Sequence, residues 1–159
     1  MKKLQKGFIQ HYKNSAGFTL IEILVVIGII GILAAIVIVA INPAKRFQDA
    51  RNAQRRANVE AIMSAVQQNM VDNKGIFECA DDIPPTLAVM SDDDYNIATC
   101  VSAYLAVMPY DPSASEAHWE SVTDYDTGYR IKQDDTTLQV TVEAPEADDD
   151  GGGTITLTR

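Results

Sequence analysis

A lone carboxylate, Glu22, stands near the start of an apolar run that extends from Phe18 to Ile41. From Ile23 to Ile41 the nineteen residues ILVVIGIIGILAAIVIVAI carry no charge and no hydrogen-bonding side chain. As a helix they span about 28 Å, close to the thickness of a bilayer's hydrocarbon core. A carboxylate carried into that medium costs on the order of a few kcal/mol unless it meets a partner. The chemistry expected of Glu22 is therefore pairing with a cation, which its own helix does not supply. Cleavage of the chain just upstream would create one, in the form of a new amino terminus. Other reactive groups are sparse. The histidines are His11 and His118, and no G-x-S-x-G, H-E-x-x-H or phosphate-cradling glycine loop occurs. No catalytic residue is assigned, and His118 beside Trp119 reads as part of a surface loop. Cys79 and Cys100 are the two cysteines, and their spacing fits no common zinc site. In an oxidising compartment a disulfide between them would contribute about 3 kcal/mol; two unpaired thiols are the alternative.

The residues leading to Glu22 read Ser15-Ala16-Gly17-Phe18-Thr19-Leu20-Ile21-Glu22. This string, followed by a long apolar helix, resembles the processing site of type IV prepilins and type II secretion pseudopilins. The resemblance implies that prepilin peptidase cuts between Gly17 and Phe18 and that Phe18 becomes the methylated first residue. It implies that Glu22 pairs with the terminal amine of a neighbouring subunit during assembly. The segment Met108-Pro109-Tyr110-Asp111-Pro112 cannot be regular helix, and it resembles a segment found ahead of the sheet in many pilins and pseudopilins. The implied partners are prepilin peptidase, identical or related pilin subunits, the cytoplasmic membrane and an assembly machinery. The implied location is the cytoplasmic membrane with the head outside, then a cell-surface or periplasmic filament.

These residues need elements to position them, and the chain divides accordingly. Residues 1–17 form a basic leader with Lys2, Lys3, Lys6 and Lys13 and no acid. It lacks an apolar core of its own, unlike an ordinary secretory signal. Residues 18–41 form the transmembrane helix, 42–74 an amphipathic stem helix, and 75–159 an acidic globular head. Asn42-Pro43 predicts a kink or an unwound step. Val59, Ile62, Met63, Val66 and Met70 fall on one helical face, and Ala53, Ala57, Ala61 and Ala65 recur every four residues to permit close approach. Gly75 is suited to a left-handed helix stop. Gly28 and Gly31 are three apart, which is not the G-x-x-x-G spacing.

Residues 76–122 read as irregular, with short helices at Leu87 to Met90 and Thr99 to Val107. Three strands follow: Tyr129 to Lys132; Thr136 to Glu143, with Leu138, Val140 and Val142 on one face; and Thr154 to Thr158. Asp134-Asp135 supplies the first turn, and Ala144 to Gly153 is a flexible acidic connector. The expected fold is α+β, a long N-terminal helix whose second half packs on a small antiparallel β-meander.

Charge is unevenly spread. The chain carries −9 overall; without the leader, nine basic residues face 22 acids, for −13. From Gly75 onward three basic residues face eighteen acids, whereas Lys45, Arg46, Arg51, Arg55 and Arg56 face Asp49 alone. An acidic head repels nucleic-acid phosphates, so no direct nucleic-acid binding is expected. Stacked subunits would bring basic stem and acidic head together. Asp124-Tyr125-Asp126-Thr127-Gly128 and Asp148 to Asp150 supply oxygen-rich candidates for calcium, but the first lacks the distal glutamate of a calcium loop. No cofactor and no metal ligand is assigned, with calcium kept as the alternative.

The expectation is a structural subunit of a type IV pilus-like filament, not an enzyme. The alternatives are a pseudopilin or minor pilin of a type II secretion or DNA-uptake apparatus, and, in another class, a membrane-anchored binding module that never polymerises.

Overall fold

The computed structural model describes residues 17–159. Of the leader expected over 1–17, residues 1–16 lie outside the described residues. The chain divides into two compact units, one ending at Asn42 and one running from Pro43 to Arg159.

The first unit is helix α1, Leu20–Ile41. Its β-branched and leucine side chains have no sheet to join, and among its residues none is buried by the chain itself. It ends where Asn42 turns left-handed (φ 45°), a conformation that asparagine tolerates better than most residues. Pro43 then opens helix α2, Pro43–Asp72, at the first helical position, where its missing N–H costs nothing. The unwound step expected at Asn42-Pro43 is thus present.

In the second unit α2 lies across an antiparallel sheet. The strands are β1 (Ala88–Ser91), β2 (His118–Ser121), β3 (Asp124–Gln133), β4 (Val140–Ala144) and β5 (Ile155–Thr158). Their order is β1-β3-β4-β5, with β2 also pairing β3. Ile131 sits opposite Val142, and Val142 opposite Leu157, so one apolar row crosses three strands. Val59, Ile62, Met63 and Val66 of α2 are fully buried in the same core as Tyr129, Ile131, Val140 and Val142. Met70, the last of the expected apolar face, is half-buried. Ala65 joins the core, but Ala53 and Ala57 are exposed.

The α+β class and the helix-on-meander architecture agree with the sequence expectation, and five local readings are corrected. Leu87 to Met90 is not helical: Ala88 and Val89 pair with Ile131 and Arg130 as β1, because cross-strand pairing overrides weak local propensity. The helix expected over Thr99 to Val107 is a single turn, α3, Ala98–Val101. His118 lies on β2 and not in a loop. The first expected strand is longer, ten residues from Asp124 to Gln133. The second is shorter, because Asp134 Oδ1 accepts hydrogen bonds from the Thr136 and Thr137 amides (2.9 and 2.7 Å) and winds them into a turn. That turn leaves Leu138 left-handed (φ 57°) and 65% exposed, not on the inner face with Val140.

Between α2 and β2 the chain is fastened by polar bolts. Asn69 is buried; its Nδ2 donates to the Glu78 and Cys100 carbonyls (3.1 and 2.9 Å), and its Oδ1 accepts from the Glu78 amide (2.8 Å). Lys74 and Gly75 are both left-handed, and the Gly75 amide closes on the Met70 carbonyl at 2.7 Å. The Cys79–Cys100 disulfide bridges 21 positions, with Cα atoms 5.2 Å apart. Asn69 therefore holds the backbone at Cys100 and beside Cys79 against the helix. Replacing both cysteines with serine should lower unfolding free energy by about 2–4 kcal/mol. A urea titration followed by Trp119 fluorescence, with and without reductant, reads this out; reductant should leave the double variant unchanged.

Candidate functional site

At the start of α1, Thr19 is the helix cap, in extended conformation (φ −75°, ψ 153°). Its amide and its hydroxyl both donate to Glu22 Oε2 at 2.8 Å, and its Oγ1 accepts from the Glu22 amide at 3.3 Å. This reciprocal capping box satisfies two orphan donors of the first turn and aims the carboxylate back toward the chain entry. The sequence reading found Glu22 without a cation and missed this local partner, although Thr-x-x-Glu ahead of an apolar run is its signature. Phe18 lies outside the helix and is 82% exposed. Gly28 and Gly31 meet nothing within 4 Å where a side chain would project. Gly17, Phe18 and Glu22 are thus neighbours on an uncovered apolar rod.

In the head, the polar residues converge on Arg55. Its guanidinium is 0% exposed. Nε donates to Asp111 Oδ2 at 2.7 Å and Nη2 to Asp111 Oδ1 at 3.0 Å, a bidentate fork. Nη1 donates to Asp150 Oδ2 at 2.6 Å and to Asn52 Oδ1 at 2.7 Å. Arg51, one turn earlier on α2, also pairs with Asp150 through two of its nitrogens. Asp111 Oδ1 accepts further from the Ser113 and Ala114 amides. One helix, the Met108 to Pro112 segment and the connector before β5 are thereby joined at one cation. Close approach supports the join: a side chain at Gly152 would overlap the Asn52 amide, and one at Gly128 would press on Asp111 Cβ at 3.2 Å.

The electrostatics follow from this geometry. Burial works against the Asp111 carboxylate, yet hydrogen bonds from Arg55 and from the Ser113 and Ala114 amides hold it below its ordinary value. Arg51 and then Arg55 hold Asp150 well below the usual carboxylate range. Tyr129 is pushed up to about 12 by burial, although its hydroxyl accepts from Asn58 Nδ2 at 2.9 Å.

This cluster corrects two expectations. The connector Ala144 to Gly153 is not a loose acidic tether: Pro145–Ala147 forms a 3₁₀ turn and Asp150 is anchored. Arg51 and Arg55 are not available to the head of another subunit, since carboxylates of their own chain engage them. The sequence hinted at this through the i, i+4 spacing of the two arginines and the aspartate of Met108-Pro109-Tyr110-Asp111-Pro112. Nothing local indicated that Asp150, ninety-five residues from Arg55, completes the site.

The calcium candidates lie differently from a metal loop. Asp124 to Gly128 is strand β3, where Asp126 Oδ1 accepts from the Gly128 amide at 2.7 Å. Among the described residues no three His, Cys, Asp or Glu side chains gather as metal ligands. His118 is exposed; its ring meets the Glu116 carbonyl at 2.6 Å and Asp124 at 3.1 Å, and these contacts raise its pKa in that order.

Comparison with known proteins singles out the N-terminal feature. Residues 12–38 match the family model described as the prokaryotic N-terminal methylation motif, the hallmark of type IV pilins and pseudopilins. The motif supports a type IV pilin-like or pseudopilin subunit in general, a structural and not an enzymatic class, and with the apolar helix it fits a membrane-anchored precursor. No curated protein matches the chain. No solved structure matches it.

The Arg55 cluster gives a signed expectation. Carboxylates held below their unfolded-state pKa of about 3.9 stabilise the head above that pH, and the contribution is lost as pH falls through their lower folded values. In urea titrations the carboxylate contribution should therefore be flat from pH 7 to 5, where the raised pKa of His118 adds a small gain on acidification, and stability should decline below about pH 4. Arg55→Met should cost about 3–5 kcal/mol at pH 7, by stranding buried Asp111 without its cation. In that variant the Ser113 and Ala114 amides remain on Asp111, but the Arg55 hydrogen bonds that oppose its burial are gone. Its pKa should rise relative to the wild type, and less stability should be lost on acidification below about pH 4.

Proposed function

We propose that this chain is a structural subunit of a type IV pilus-like filament. In this reading it enters the membrane as a precursor, prepilin peptidase cuts between Gly17 and Phe18, and the new Phe18 amine is methylated. The observation that carries the reading is a span-length helix, none of whose residues is buried, that carries Glu22 in its first turn inside a methylation motif. An uncovered apolar helix is stable in lipid, and outside lipid only if other helices cover it. Assembly transfers it from the first environment to the second. Glu22 then takes the Phe18 ammonium of an adjacent subunit as its cation. Each subunit gives one amine and accepts one through a different surface, and such head-to-tail contacts extend without closing.

The chain performs no catalysis in this account; Gly17 and Phe18 are substrate positions for the peptidase. The head, complete around its own core and its Arg55 cluster, supplies the outer surface.

Glu22→Val should leave leader cleavage intact and reduce filament yield by at least about tenfold, the cost of losing roughly 1.4 kcal/mol per subunit contact. Mass spectrometry of the N terminus and electron microscopy of sheared filaments read the two effects separately. A product beginning at Met1 overturns both processing and assembly. A product beginning at methylated Phe18 that yields normal filaments with Glu22→Val overturns the role given to Glu22. Wild-type assemblies that stop short of long fibres place the chain with the pseudopilins or minor pilins.

A further inference from the structure

Between the end of α1 and the first residue of α2 that the head buries, nine residues of helix, 43–51, remain without a buried position; Asn52 is the first. They read Pro-Ala-Lys-Arg-Phe-Gln-Asp-Ala-Arg. Lys45 and Arg46 are exposed, Phe47 is 67% exposed, and Asp49 is the single acid in the segment. Consecutive helical residues point about 100° apart, so Lys45, Arg46 and Phe47 spread around the helix and not along one side. A protein partner docks on one side of a helix. A collar of cations with an aromatic ring suits a medium that surrounds it, as at the boundary of a bilayer.

Position agrees. Arg46 follows Ile41 by five residues, so the chain cannot carry it more than about 18 Å from the end of the apolar span. The headgroup layer occupies about 5–8 Å of that distance, and the field of an anionic surface reaches about 8–10 Å further. Farther along, Arg51 is engaged by Asp150, whereas the side chains of Lys45 and Arg46, close to the span, are exposed.

We infer that Lys45, Arg46 and Phe47 form a collar that binds the anionic phospholipid headgroups around the stored subunit. The inference rests on the membrane-anchored reading. It adds a lipid preference: phosphate oxygens meet Lys45 and Arg46, and the Phe47 ring sits at the headgroup boundary.

The test uses the full chain with Phe47→Trp in a Trp119→Phe background, reconstituted in vesicles of phosphatidylcholine alone or with phosphatidylglycerol. The quencher is a nitroxide on the lipid headgroup. Quenching of the introduced indole should rise with phosphatidylglycerol and fall back at high salt. Each cation should enrich anionic lipid at the collar about fivefold, the equivalent of ~1 kcal/mol. Lys45→Gln with Arg46→Gln should abolish the dependence while the protein still floats with the vesicles. Equal quenching in both lipids, with the protein afloat, overturns the inference. So does shielding of the indole that follows protein-to-lipid ratio and ignores phosphatidylglycerol, which would make a second copy the partner. Failure to float overturns the anchor reading itself, and the collar with it.

Discussion

Because Arg55 reaches the middle of the head as a cation, the middle of the head is built to receive one. A fully desolvated guanidinium is tolerable only when its donors are met by carboxylates and carbonyls in the right plane. Asp111 meets two of them as a fork and Asp150 a third, with Asn52 sharing that third nitrogen. The planar fork fixes direction as well as distance, which apolar packing does not. Asp111 is fixed in turn by the amides that follow it, and Asp150 by Arg51. Three segments remote in sequence therefore have one relative placement, and among the described residues no buried side-chain nitrogen or oxygen is left without a partner. A lysine at position 55 would keep the charge and lose the fork.

The two units solve opposite problems. The head is −15 from Gly75 onward, so its acids repel one another, and the pairs formed by Asp111 and Asp150 relieve part of that repulsion where it would be worst, away from water. The N-terminal helix has no charge to balance beyond Glu22 and no core to join. It is apolar on every side, which is the composition of a segment surrounded by lipid or by similar helices. In the proposed filament, a head whose core and buried ion pairs are satisfied within itself would keep that core when the helix passes from lipid to other helices.

What could be read in the sequence follows from how local each signal is. The span, the N-terminal motif, the apolar face of α2 from Val59 to Val66, and the last strand are short-range patterns, and each was legible. The disulfide was legible from two cysteines and a compartment. β1 and β2 were not, because Ala88 to Ser91 and His118 to Ser121 are strands by virtue of the partners they find on β3. The strand β4 was overextended because alternation through Leu138 looked regular; the Asp134 side chain, bonded to the next amides, takes those residues into a turn instead. The Arg55 cluster was half legible. Its arginines and the aspartate after Pro109 were visible, but the third member sits in a run of three aspartates, and only the three-dimensional path decides which one turns inward.

The cap on α1 bears on how an acid can be stored near lipid and still be free to pair with another molecule. Thr19 gives Glu22 Oε2 two hydrogen bonds, and the amino end of the helix adds its favourable dipole. These are neutral donors, so they offset part of the cost of an apolar setting without cancelling the charge. The same geometry governs self-pairing. If the helix continued upstream, the residue at position 18 would stand one turn above Glu22, and its freed amine would fall beside the carboxylate of its own chain. Thr19 is extended, however, and takes Phe18 off the helix, while Thr19 itself occupies the oxygen. Thr19 bonds only Oε2, so in the proposed filament the second carboxylate oxygen, Oε1, is the one that would take the Phe18 amine of an adjacent subunit. In the proposed filament the capping box does two things at once: it makes Glu22 tolerable before assembly and directs its pairing between subunits.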